Sequence, residues 1–170
     1  EEKYGKYFKY FNPDLFDARE WARQARAAGM KYAVLTTKHH EGFCMWDTQY
    51  SDYKCTNTPA GRDLVREYVD AFRAEGLHIG FYYSLIDWHH PQFPIDEQSK
   101  DRDVRVYAEY MRNQVRELLT NYGKIDVLWF DFSYSQAKPA PGKEWMKGKG
   151  KDDWEAEKLI ALARELQPGI

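Results

Sequence analysis

Apolar positions along the chain fall into two alternating patterns. Short β-branched or aromatic runs read as strands: Tyr32-Ala33-Val34-Leu35-Thr36-Thr37, Ile79-Gly80-Phe81-Tyr82-Tyr83-Ser84 and Ile125-Asp126-Val127-Leu128-Trp129-Phe130-Asp131. Between them lie stretches of helical spacing. One opens on Asp17-x-x-Glu20 and runs to about Ala28, with Trp21, Ala25 and Ala28 expected on its buried stripe. A second starts at the cap Asp63 and buries Leu64, Val65, Tyr68, Val69 and Phe72. A third carries Val104, Tyr107, Met111, Val115 and Leu118, and a fourth covers about Asp153 to Leu166.

Glycines punctuate these units at a nearly constant interval. Gly29, Gly76 and Gly123 lie 47 residues apart, and Gly169 follows 46 residues later. Each of the first three stops a helix just before a strand, so the repeating unit is helix, glycine, strand, long loop. Repeated β-then-α units imply a parallel sheet with right-handed crossovers. Loops that are long after strands and short before them suit part of a (β/α)8 barrel, whose working face is built from those loops. The expected content is about three parallel strands and four helices. A doubly wound sheet competes, but no glycine-rich phosphate loop follows any strand. Ile170 stands where a fourth strand would begin, and two hydrophobic sheet edges would be left open. The expectation is therefore a partial barrel spanning residues 1–170, completed by further chain or another subunit.

Composition narrows the function. At 43% hydrophobic residues the chain can build a core, and no apolar run approaches the ~18–20 residues of a membrane span. A net charge of −2 removes any whole-chain electrostatic case for nucleic acid or an anionic membrane. Aromatic residues reach 16%, a load suited to flat polar ligands such as sugars as well as to packing. Cys44 and Cys55 are too few for a disulfide scaffold, though they could pair across a loop. The N-terminal residues carry no signal-peptide pattern.

Candidate chemistry gathers where strands meet loops. Val127, Trp129 and Asp131 share one strand face, which puts a carboxylate at the C-terminal lip, where parallel folds keep their chemistry. Asp131 could equally cap its loop. Lys38-His39-His40-Glu41-Gly42-Phe43 sits at the end of the first strand. Adjacent histidines on extended backbone point apart, and the His spacing of helical zinc sites is absent, so no metal site or other cofactor is expected. Such a pair could make ordinary loop hydrogen bonds or donate to a polyhydroxylated ligand. Tyr82 and Ser84 share a face that could reach the same mouth. Trp46 and Trp88, in successive loops, could pack those loops or stack on a ligand. Arg62-Asp63 reads as helix-cap structure.

Several of these segments, in order, resemble the α-L-fucosidases of glycoside hydrolase family 29. They are Lys38-His39-His40-Glu41-Gly42-Phe43-Cys44-x-Trp46, Arg62-Asp63-Leu64-Val65, Tyr82-Tyr83-Ser84 with Asp87-Trp88, and Ile125 through Asp131. The resemblance covers about residues 4–170. It implies a retaining exo-hydrolase that removes terminal α-linked L-fucose from glycans, on a (β/α)8-like domain whose first and later strands are the ones lacking in residues 1–170. By the same resemblance Asp131 falls at the nucleophile, and His39, His40, Trp46, Tyr82 and Trp129 at sugar-binding positions. The general acid/base matches no residue here; Glu144 and Glu155 lie in no such motif. The implied partner is a fucosylated glycan or glycoconjugate, and the implied location is extracytoplasmic. A related exo-glycosidase for another sugar, or a non-catalytic sugar-binding or incomplete barrel, are the alternatives.

Overall fold

The structure is a computed structural model that describes residues 2–95, 101–133, 141 and 150–170. Glu144 and most of the loop after Asp131 lie outside the described residues. Three strands, β1 (Tyr32–Lys38), β2 (His78–Ser84) and β3 (Val127–Asp131), form one sheet in chain order, both pairs parallel. A doubly wound sheet reverses its order at a switch point; no reversal occurs among these strands.

Helix α1 (Glu2–Gly5) and a 3-10 turn (Lys6–Tyr10) precede α2 (Ala18–Ala27), α3 (Leu64–Ala74), α4 (Val104–Thr120) and α5 (Ala156–Leu166). The helix beyond the expected four is thus the short α1. Aspartates start the helices as the sequence suggests. Asp17 accepts from the amides of Arg19 and Glu20, and Asp63 from that of Arg66 at 2.8 Å. Gly29, Gly76 and Gly123 take positive φ of 81°, 72° and 74°, conformations that would strain any other residue. Gly169 does not, and α5 stops instead at Leu166 with Gln167 as its cap.

Two helix expectations need correction. Trp21 is 58% exposed and stands edge-on against Phe16 at 4.9 Å. The buried face of α2 is made by Ala18 and Ala22, whose small side chains let α2 approach α3 closely. Helix α5 begins at Ala156 rather than Asp153, because Glu155 adopts a left-handed backbone (φ 49°) that interrupts the helix.

The sheet has one closed and one open face. On the closed face Ile79, Phe81 and Tyr83 pack with Val65, Tyr68, Val69 and Phe72 of α3 and Met111, Val115 and Leu118 of α4. The other face carries Thr36 and Trp129, both exposed, on either side of Tyr82. Every residue of β2 after His78 is buried, whereas no residue of β3 is fully so. Gly80 lies between Val34 and Val127; a Cβ there would come within 2.7 Å of Val34 Cγ2.

The register of β1 against β2 slips once. Thr36 pairs with Tyr82, but Lys38 pairs with Tyr83, leaving Thr37 as a bulge whose hydroxyl donates to the Tyr82 carbonyl at 2.8 Å. A bulge of one residue exchanges the faces of everything beyond it. Lys38 is thereby sent to the helix side, and His39 to the open side above Tyr82. Neither outcome was legible from strict alternation.

Candidate active site

The C-terminal ends of the three strands bring together five of the six residues singled out from the sequence. Asp131 is half-buried at the end of β3. Its Oδ2 accepts the Tyr82 hydroxyl at 2.9 Å, and its Oδ1 accepts the Phe132 amide at 2.7 Å. Trp129, two residues earlier, is 55% exposed and stands edge-on to Tyr82 at 5.4 Å. Burial, then the hydrogen bond to Asp131 and its charge, push the Tyr82 phenol up to about 12. Tyr82 therefore remains a protonated donor to the carboxylate at neutral pH.

The two histidines lie beside this pair. Their rings stack at 3.9 Å, and His39 also stacks on Tyr82 at 5.7 Å with only 14° between planes. The expectation that adjacent histidines diverge fails because the strand ends at Lys38 and the chain turns at once. The Gly42 amide closes that turn on the His39 carbonyl at 3.0 Å. His40 is buried, with Nδ1 2.7 Å from Ser84 Oγ, while His39 is exposed with Nδ1 3.5 Å from Glu41 Oε2. Burial and the neighbouring His39 lower the His40 pKa, against the upward pull of Asp131.

Trp46 is the exception. It is 1% exposed, packs on the helix side near Tyr83, and donates its indole N–H to Glu117 on α4 at 3.0 Å. Glu117 also accepts from the Thr48 hydroxyl and the Gln49 amide, so Trp46 anchors its loop to α4. In this structure Trp46 therefore lies on the helix side, away from the strand-end mouth where the resemblance put it.

Beneath the mouth lies a buried ion pair. Lys38 Nζ, fully buried, is 2.8 Å from Asp87 Oδ2 and 4.4 Å from the Tyr83 ring centre. Asp87 Oδ1 accepts the amides of His89 and His90 at 3.0 and 2.9 Å. Gly42 packs against this carboxylate; a Cβ there would lie 2.3 Å from Asp87 Oδ1, and its φ is 82°. The Trp88 amide donates to the His40 carbonyl at 2.7 Å. Lys38, Gly42 and Asp87 thus lock the first loop onto the second and fix where the histidines stand.

Sequence reasoning overlooked Phe132. It follows Asp131 in a left-handed backbone (φ 68°), and its ring meets His40 edge-on at 4.4 Å. A non-glycine residue held so costs about 1–3 kcal/mol and recurs at functional sites. No signal in the sequence marks it. Cys44 and Cys55 are free and buried. No three His, Cys, Asp or Glu among the described residues are grouped to hold a metal. A cleft of about 810 Å³ between α2 and α3, lined by charged residues including Asp17, Arg62 and Glu67, contains none of the site residues. We place the site at the strand ends because the convergent polar groups are there.

A parallel β/α sheet with a carboxylate, a tyrosine and two imidazoles at its C-terminal lip has the layout of a (β/α)8-barrel site. The family model for alpha-L-fucosidase matches residues 1–170. Plasma alpha-L-fucosidase from Homo sapiens is 38% identical over 131 residues, covering 76% of this chain and 28% of that protein. Alpha-L-fucosidase isoenzyme 1 from Paenibacillus thiaminolyticus superposes with a TM-score of 0.87 at 55% identity, over 99% of this chain and 40% of that one. An alpha-L-fucosidase GH29 from Bacteroides thetaiotaomicron, solved as a trapped covalent intermediate with 2-fluoro-fucosyl fluoride, is 34% identical with a TM-score of 0.80, over 99% of this chain and 37% of that one. The chain belongs to the α-L-fucosidase family, and its three strands are part of that family's (β/α)8 barrel. It spans 28–31% of the length of the curated relatives it matches first.

Proposed function

We propose that this chain supplies the nucleophile side of a retaining α-L-fucosidase site, with Asp131 as the nucleophile. The observation that carries the reading is the Asp131 carboxylate at the lip of β3, held by Tyr82 and the Phe132 amide beside two stacked imidazoles. In the first step a carboxylate oxygen of Asp131 attacks the anomeric carbon. The C1–O bond to the leaving group breaks as the new ester bond forms, through an oxocarbenium-like transition state. A second carboxyl group, assigned to no residue here, protonates the departing oxygen. It then takes a proton from water, which attacks C1 and releases Asp131. Two inversions give net retention.

Tyr82 holds Oδ2, so Oδ1 is the oxygen less committed to a side chain and the better placed to attack. His39, His40 and Trp129 would bind and orient the sugar, the indole walling one side. The substrate is a fucosylated glycan or glycoconjugate. The match to the alpha-L-fucosidase family model supports this substrate class. The plasma relative supports an extracytoplasmic location, and the half-exposed faces of β1 and β3 support further barrel strands pairing there. The complete catalytic polypeptide, given an aryl α-L-fucoside, should release α-L-fucose as the first-formed anomer by proton NMR. First-formed β-anomer, or no turnover, would overturn the reading.

A further inference from the structure

Ser84 Oγ has three polar neighbours: His40 Nδ1 at 2.7 Å, the Ile86 amide at 3.0 Å and the Ile86 carbonyl at 2.9 Å. A hydroxyl has one proton and two lone pairs. The Ile86 amide can only donate, and the Ile86 carbonyl can only accept. All three contacts are satisfied in one way only. The serine proton goes to the carbonyl, and His40 Nδ1 carries a hydrogen that it donates to Oγ. The reverse arrangement would set the carbonyl against a lone pair where Ser84 is fully buried and no water can compensate.

His39 lies beside a carboxylate, its Nδ1 3.5 Å from Glu41 Oε2, an ion-pair distance with no hydrogen bond between them. With the hydrogen of a neutral His40 on Nδ1, its Nε2 is bare, and no described residue hydrogen-bonds to it. The His39 ring stacks 3.9 Å away with 26° between planes, so this nitrogen belongs to the patch above Tyr82. Burial and His39 favour the neutral form of His40.

We infer that Ser84 is a positioning residue that holds His40 in the Nδ1–H tautomer, so that its Nε2 offers an acceptor and recognises a sugar hydroxyl as donor. The ligand half of this inference rests on the fucosidase reading; the tautomer does not. The polarity matters for selectivity, because a ligand whose oxygens are methylated can still accept but can no longer donate.

The test is a long-range ¹H–¹⁵N correlation spectrum of the complete polypeptide labelled at histidine, near neutral pH. His39→Gln and His40→Gln variants assign the signals. The native His40 ring should show a protonated Nδ1 and an unprotonated Nε2. Ser84→Ala should move His40 toward the Nε2–H tautomer that a free neutral histidine prefers, and should raise KM for an aryl α-L-fucoside more than it lowers kcat. A protonated Nε2 in native His40 would overturn the inference and leave Asp131 untouched, and the native spectrum decides this even if Ser84→Ala does not fold. A His40 tautomer unchanged in folded Ser84→Ala would overturn the role of Ser84. Added L-fucose should shift the His40 Nε2 signal. A correct tautomer with no response to L-fucose would overturn the ligand assignment alone, since the anomer released from an aryl α-L-fucoside decides the fucosidase reading separately.

Discussion

Tyr82 and Asp131 stand on neighbouring strands, 49 residues apart in sequence, and are joined by one hydrogen bond of 2.9 Å. The register makes this contact, since Tyr82 lies opposite Trp129 and Ser84 opposite Asp131 on the same face of a parallel pair. A phenol pushed up to about 12 keeps its proton through the neutral range and remains bound to one carboxylate oxygen. Tyr82→Phe removes that bond while leaving the ring in place. A hydrogen bond to a charged group contributes about 1.5–3 kcal/mol, so turnover should fall about tenfold to a hundredfold. Steady-state kinetics on the complete polypeptide check this, with a native circular-dichroism spectrum at the assay temperature as the control for folding.

Lys38 and Asp87 are charged and almost wholly inaccessible to water. Removing one member of a buried pair strands the other, at a cost of about 3–5 kcal/mol. Lys38→Met should lose stability on that scale in chemical denaturation. Asp87→Asn should lose a comparable amount, because an amide oxygen that keeps the amides of His89 and His90 leaves an NH2 donor facing the stranded Lys38 ammonium.

Trp46 separates the structural account from the sugar-pocket position that the resemblance implied. Trp46→Phe removes the hydrogen bond to Glu117, a charged acceptor, and should destabilise by about 1.5–3 kcal/mol. KM for an aryl fucoside should not change. A large rise in KM with unchanged stability would return Trp46 to the pocket.

His40 should make stability depend on pH. Its folded pKa lies below the unfolded value of about 6.5, so on acidification the unfolded chain binds its proton first. The stabilising contribution is complete above that unfolded value and is lost as pH falls through the folded pKa. His90 is shifted in the same direction, by burial. The comparison is therefore between the native protein and His40→Gln, which retains His90. The acid-side slope of unfolding free energy should be shallower in the variant, and equal slopes would contradict the assignment.

Strands, caps and the run of linked motifs were legible because they depend on local chemistry. Asp17 and Asp63 cap their helices through amides two or three residues away, and Gly29, Gly76 and Gly123 stop helices through their own backbone. The stacking of His39 on His40 and the start of α5 were misread through local backbone, the turn closed by Gly42 and the left-handed Glu155; the other misreadings depend on contacts distant in sequence. The bulge at Thr37 is fixed by a hydroxyl reaching the Tyr82 carbonyl 45 residues on, and it reverses the faces of Lys38 and His39. Trp46 is buried by a glutamate 71 residues away. Trp21 is exposed because alanines, not the largest ring, make the α2–α3 contact. Of the site itself, Asp131, Tyr82, Trp129 and the histidines could be named from strand ends and the resemblance. The Ser84 contacts and the backbone of Phe132 could not, since both are set by how the loops fold back.

The central claim is that Asp131 forms the covalent bond to the sugar, and a mechanism-based label tests it most directly. A 2-deoxy-2-fluoro-α-L-fucosyl fluoride reacts readily at the first step, while its fluorine slows release of the ester. Incubated with the complete polypeptide, it should add one fluorofucosyl group by intact mass. Peptide mapping should place that group on Asp131, between Phe130 and Phe132. Asp131→Ala should take up no label. Labelling of another carboxylate, or undiminished hydrolysis by a folded Asp131→Ala protein, would contradict the account.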